Sequence, residues 1–184
     1  MTEEQPQHLR VLVADEQRKL LQPVGEAVRS LGHEICAEEV DVGRVGRTIE
    51  EKRPDLAIVA LHESSDHAMQ LITEIVDEAT CPVCLLAPKV DAGFLGEAAR
   101  RGVFAYLDST DPIELQGGID VAFQRYHQFS ELLNAFHRRA RIERAKGLLM
   151  ERHGIGDDEA FERIRSQARN ERRAIMSVVE ELLG

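Results

Sequence analysis

The spacing of apolar positions along the chain changes its period. From Arg10 to Leu115, short apolar runs alternate with stretches whose apolar residues recur every three or four positions. The runs are RVLVA (10–14), His33 to Val40, DLAIVAL (55–61), PVCLLA (82–87) and VFAYL (103–107). Each predicts a short strand, and DLAIVAL, apolar on both faces, predicts a central parallel one. Helical spacing fills the gaps. Leu20, Leu21, Val24, Ala27, Val28 and Leu31 form one stripe, stopped by Gly32. Leu71, Ile72, Ile75 and Val76 form another within Ala68 to Ala79. Val45 and Ile49 are the only support for a helix over Gly43 to Lys52, and Ala92 to Arg101 is a further helix closed by Gly102. Five strands alternating with short helices predict a doubly wound, five-stranded parallel sheet, in which functional residues lie beyond the carboxyl ends of the strands.

After Ile119 the pattern becomes purely helical. The stretch from Ile119 to His153 has no proline and one glycine, Gly147. Ile119, Ala122, Tyr126, Phe129, Leu133, Phe136 and Ala140 alternate gaps of three and four, a heptad seam that asks for a partner helix and so for a second copy of the chain. Gly117-Gly118 either bends the chain ahead of the seam or is tolerated at some cost. Gly154 is the expected stop, and Gly156-Asp157-Asp158-Glu159 starts a further helix with acids in its first turn, where they suit the helix dipole. Ala160, Phe161, Ile164 and Ala168 form its apolar face, with Phe161 expected in the core. Ile175, Val178, Val179, Leu182 and Leu183 stripe a last helix. Neither short helix stands alone, so both are expected to pack on the long one around Leu148 and Leu149, with Gly147 easing the approach. The organisation expected is 8–116 for the sheet domain, 117–136 for a coiled-coil linker helix and 137–184 for an all-α three-helix domain.

Charge changes this picture more than composition does. The net charge of −10 argues against a nucleic-acid partner, but residues 1–134 hold 12 Lys+Arg against 24 Asp+Glu, and residues 135–184 hold 11 against 9. An acidic regulatory domain joined to a nucleic-acid-binding one has this asymmetry; so has an acidic domain with a neutral tail. No apolar run approaches the roughly 20 residues of a membrane span, and the N-terminus lacks a signal-peptide layout, so a cytoplasmic protein without membrane contact is expected. Cys81-Pro-Val-Cys84 reads C-x-x-C, but on a strand the two thiols point to opposite faces and cannot bridge. Buried structural thiols are expected.

Residues 10–115 resemble a response-regulator receiver domain in the acidic pair Asp15-Glu16 after the first strand, the Pro-Asp-apolar third strand, and Ala105-Tyr106-Leu107 in the fifth. The resemblance implies a flavodoxin-like fold. It also marks departures. Ala60 stands where the family has its phosphoryl-accepting aspartate, Ala87 where it has Thr or Ser, and Ser109-Thr110 where it has Lys-Pro. Without a carboxylate at Ala60 there is no nucleophile, and a hard cation at Asp15 and Glu16 has lost an oxygen ligand. The expectation is a degenerate phosphorylation site (Asp15, Glu16, Ala60, Ala87, Ser109) with no metal and no cofactor. Its signal would instead come from a regulatory protein or a small ligand at the Asp15/His62/Ser109 edge. His62, Glu63, Asp66 and His67 space as H-E-x-x-x-H, one residue too long for a zinc-protease pair, and are expected to be solvated.

The segment RIERAKGLLMERHGIGDDEAFERIRSQARNERR closely resembles the ANTAR domain of the AmiR and NasR transcription antitermination regulators. The likeness is carried by Ala145-Lys146-Gly147, Leu149-Met150, His153-Gly154, Ala160-Phe161 and Ala168. It implies a homodimer that binds hairpin loops in nascent mRNA. Gly156, where the family has Ser or Thr, weakens one cap, and Val178-Val179 replaces the family's Val-Ala. The residues expected to meet RNA are Arg141, Arg144, Lys146, Arg165, Arg169, Arg172 and Arg173, since arginine forks suit phosphate and guanine edges. The alternative from the residues alone is a solvated charged helix partnered by Glu143, Glu151, Glu162 and Glu171, in an interaction adaptor without RNA binding. With Phe161 assigned to the core, no aromatic platform is expected. Nothing in the sequence pairs a nucleophile with a base, so no enzyme is expected.

Overall fold

The computed structural model describes residues 8–63, 65–87 and 90–184. Its order is β1 (Arg10–Ala14), α1 (Leu21–Ser30), β2 (Glu34–Glu39), a 3-10 turn (Val42–Arg44), α2 (Val45–Lys52), β3 (Leu56–Ala60), α3 (Asp66–Glu78), β4 (Val83–Leu86), α4 (Ala92–Arg100), β5 (Ala105–Leu107), α5 (Pro112–His153), α6 (Asp157–Asn170) and α7 (Ile175–Leu183). All five strands pair in parallel in the order β2-β1-β3-β4-β5. Val13 pairs with Ile58, Ile58 with Cys84 and Cys84 with Ala105. Each expected strand and helix is present, shifted by a residue or two at its ends except for the long helix, which starts seven residues earlier than expected.

Alternation along the central strands builds two interiors. Leu12, Ala57, Val59, Val83 and Leu85 pack with Val45, Ile49, Ile72, Ile75 and Ala98 from α2, α3 and α4. Val11, Val13, Leu56, Ile58, Cys84 and Leu86 pack with Val24 and Val28 from α1 and with Leu115, Ile119 and Ala122 from α5. Cys81 belongs to the first interior and Cys84 to the second, as strand geometry requires of residues three apart. Burial pushes both thiols up to about 12, so neither is a reactive thiolate at neutral pH.

Helix α5 corrects the sequence reading. It begins at Pro112, runs straight through Gly117 and Gly118, and extends for 42 residues. The chain divides into two compact units between His127 and Gln128, so residues 117–127, expected in the linker, belong to the first unit. Of the seven seam residues, Ile119 and Ala122 lie in the core of that unit. Tyr126 stacks edge-on against Phe104 with centroids 5.2 Å apart, and its hydroxyl donates to the Thr80 carbonyl at 2.8 Å. Those three positions are covered by the chain itself. Phe129, Leu133, Phe136 and Ala140 are exposed, as is Leu132 beside them.

In the second unit Ala145 and Leu149 of α5 pack against Ala160, Ile164 and Ala168 of α6 and Val178 and Val179 of α7. Ala145 rather than Leu148 accompanies Leu149 in this core. Gly147 faces open space, with nothing within 4 Å of a Cβ placed there, so helix packing does not explain it. Gly118 is its opposite. A Cβ there would overlap Leu107 Cδ2, and only hydrogen lets α5 lie this close to β5. Substituting each with alanine separates the two. Gly147→Ala is expected to raise stability by about 0.5–1 kcal/mol, the usual glycine penalty in a helix. Gly118→Ala is expected to lower it by about 1–3 kcal/mol through overpacking. Urea unfolding of the full chain measures both; equal effects of the same sign would contradict this packing.

Candidate functional site

Two regions carry chemistry, and each belongs to one unit. In the first, the carboxyl ends of β1 and β3 place Asp15 and His62 side by side. Asp15 is fully buried. Its Oδ1 accepts the Gln17 N–H at 2.9 Å and its Oδ2 accepts the Leu20 N–H at 2.7 Å. His62 Nε2 lies 2.6 Å from Oδ1. Burial alone would push the carboxyl up, but the Leu20 amide, His62 and the Gln17 amide together hold it below its ordinary value. An ionised carboxylate only accepts, so Nε2 is the nitrogen that carries the proton.

The other expected edge residues do not complete a phosphoryl or cation site. Ala60 offers a methyl group and is itself buried. Ala87 is buried, and its carbonyl accepts the Tyr106 hydroxyl. Ser109 Oγ accepts the Asp111 N–H at 2.9 Å ahead of α5, and no contact joins it to Asp15 and His62 among the described residues. Glu16, Glu63, Asp66 and His67 are exposed. The divalent ion that a receiver-like edge implies does not fit here. One oxygen of Asp15 is committed to one backbone and one imidazole donor, and the other accepts the Leu20 N–H at the start of α1. The adjoining cavity measures only about 60 Å³. His62, which the sequence reading left in solvent, is the residue that the geometry singles out.

In the second unit the basic residues sort by partner. Lys146 is not a surface cation. Its side chain is 9% exposed, and Nζ lies 2.7 Å from Asp157 and 3.0 Å from Glu143. Asp157 and then Glu143 push its pKa up. Gly156 caps α6 without a side chain, so Lys146 fastens the uncapped first turn of α6 to α5. Arg173 is likewise engaged, with Glu181 at 2.6 Å and Glu171 at 2.8 Å. Arg141 approaches Glu180 at 3.7 Å, and Arg165 pairs with Glu162 at 2.7 Å. Among the described residues Arg144, Arg169 and Arg172 are exposed and have no ion pair. The same holds for Arg138, Arg139, Arg152 and Arg163, which the sequence reading did not choose. Phe161 is corrected too: it is half-buried and outside the core cluster, with the Arg165 guanidinium 5.9 Å from its ring centroid.

No helix among the described residues is long and apolar enough to cross a membrane. The link between His62 and Asp15 has a measurable cost of removal. His62→Ala leaves a buried carboxylate short of a donor and is expected to destabilise the chain by about 1–3 kcal/mol in urea unfolding, with no recovery in millimolar magnesium. Because the Asp15 carboxyl is held below 3.8, its contribution is complete at neutral pH and is lost only as the pH falls through that lowered value. An unchanged midpoint, or rescue by magnesium, would contradict the assignment.

The model of the ANTAR domain matches residues 130–183. The chain is 27% identical over 182 residues to the transcriptional regulatory protein PdtaR of Mycobacterium tuberculosis, a match covering 95% of this chain and 89% of that protein. Among solved structures, the chain is similar to the receiver domain of a modulated diguanylate cyclase from Desulfovibrio desulfuricans, with TM-score 0.55, 18% identity, and 64% and 94% of the two chains covered. It is also similar to the receiver domain of the putative response regulator NarL from Mycobacterium tuberculosis, with TM-score 0.54, 21% identity, and 64% and 98% covered. These structural likenesses establish the fold of the first unit. Residues 130–183 are thus similar to the ANTAR domain, and the unit that precedes them in sequence has a five-stranded, receiver-like fold.

Proposed function

We propose that this chain is a transcription antitermination regulator of the response-regulator type, which binds hairpin loops of nascent mRNA as a dimer and is not set by aspartyl phosphorylation. The observation that carries the reading is the ANTAR match over the one part of the chain where basic residues outnumber acidic ones. The whole-length likeness to a transcriptional regulatory protein supports it. The unit's unpaired guanidinium groups can meet phosphates without first giving up a carboxylate, so Arg144, Arg169 and Arg172 are the preferred contacts, joined by Arg138, Arg139, Arg152 and Arg163. Arg141, Arg165 and Arg173 must exchange a protein carboxylate for RNA, and Lys146 serves the fold. The protein acts by binding rather than by catalysis.

The dimer is supported by exposed seam positions. Phe129 is 49% exposed and Phe136 63%, a poor arrangement for a solitary helix and a good one for two. A receiver-like edge whose nucleophile position is Ala60 offers nothing for a phosphodonor to modify, and His62 supplies Asp15 with a donor of the chain's own. Control therefore passes to a regulatory protein or ligand at the first unit, or to the RNA itself.

Phosphate contacts release counterions, so affinity for a two-hairpin RNA falls steeply with salt, and Arg144→Glu combined with Arg169→Glu should weaken it at least about tenfold and flatten the salt slope by roughly two contacts. A gel-shift titration at several salt concentrations reads both. Unchanged affinity would remove these arginines from the interface, and absence of binding by the wild type would favour an adaptor that grips an acidic protein. For the dimer, Phe129→Glu with Phe136→Glu should give monomers by light scattering, whereas an unchanged dimer would place the interface elsewhere.

A further inference from the structure

Phe161 is not among the residues that fill the interior of the second unit. The interior of the second unit is filled by Ala145, Leu149, Ala160, Ile164, Ala168, Val178 and Val179. Phe161 follows Ala160 by one residue and, at about 100° per residue, sits at the edge of the buried stripe on the side of Ala168. It is partly buried there and lies outside the core cluster. A phenylalanine left partly exposed gives up part of the benefit that full burial would bring. What surrounds it is basic. Arg165, one turn on, lies over the ring at 5.9 Å, and Arg169, a second turn on, is exposed and has no ion pair among the described residues. Phe161, Arg165 and Arg169 therefore follow one face of α6 at i, i+4 and i+8.

We infer that Phe161 and Arg165 form a stacking platform for an unpaired base of an RNA hairpin loop, with Arg169 beside it for the adjoining phosphate. This rests on the RNA-binding reading above and adds to it the element of the RNA that is read. Charge selects the occupant: three successive turns present an aromatic plane, a guanidinium plane and a free cation, a set that suits a stacked base on an anionic backbone and has no counterpart need in an apolar protein segment. A base inside a duplex offers no free face to the ring. The platform therefore discriminates loops from stems, which phosphate contacts alone cannot do.

The chain contains no tryptophan, so Phe161→Trp in the full-length protein is a solitary fluorescent reporter placed on the platform. Two RNAs serve as probes: a two-hairpin RNA, and the same stems closed into a blunt duplex without loops. The expected result is that Phe161→Trp binds the hairpin RNA with near wild-type affinity in gel shift, and that its fluorescence is quenched by this RNA and not by the duplex. Phe161→Leu, with circular dichroism unchanged, should lose roughly 5- to 150-fold in affinity for the hairpin RNA, the span of one stacked base. Intact binding without quenching, or a Phe161→Leu variant that binds like wild type, overturns the platform and leaves the RNA reading standing. A wild-type protein that binds neither probe overturns both.

Discussion

One helix has to satisfy two interiors. Leu115, Ile119 and Ala122 of α5 are needed by the sheet, and Ala145 and Leu149 of the same helix are needed by α6 and α7. Losing the first set would uncover the face of β1, β3 and β4 that α5 closes; losing the second would leave α6 and α7 with nothing to pack on. The residues between, 131–140, serve neither interior and are all exposed. That constraint determines where a second copy can pair. The apolar stripe is exposed only from Phe129 onward, because Ile119 and Ala122 belong to the core of the first unit and Tyr126 packs on Phe104.

The receiver-like unit retains the shape of a switch while its residues answer one another. Asp15 is neutralised within the chain by His62 and two amides, and the Tyr106 hydroxyl is held by the Ala87 carbonyl. Such internal satisfaction is what a buried carboxylate requires, since an unpartnered buried charge is the costlier state.

The layered fold was legible in the sequence because strand and helix periods are local. Five short strand runs, the central DLAIVAL apolar on both faces, punctuated by Gly32 and Gly102, leave little freedom of topology. What sequence could not say was who covers an apolar stripe. Gaps of three and four describe a helix on a sheet as well as a helix on a helix, so Ile119 and Ala122 read as seam although they belong to a core. The pairing of the arginines was hidden for a similar reason: whether Arg173 has an ion pair depends on where Glu181 of α7 arrives. One miss had a usable signal. Gly147 lies well off the stripe defined by Ala145-Leu149, and angular position alone would have moved it out of the core; Phe161, at the edge of the Ala160-Ile164-Ala168 stripe, gave no such signal.

Together these features describe a helical head in which most of the carboxylates pair with some of its basic groups, while Arg144, Arg169 and Arg172 have no ion pair among the described residues. The claim that the partner is folded transcript is tested most directly by crosslinking the native protein to RNA in cells and sequencing what is recovered. The account predicts enrichment of paired hairpins in untranslated leaders, with crosslinks concentrated in their loops. Recovery no different from an uncrosslinked control, or crosslinks spread evenly over stems and coding regions, would contradict it.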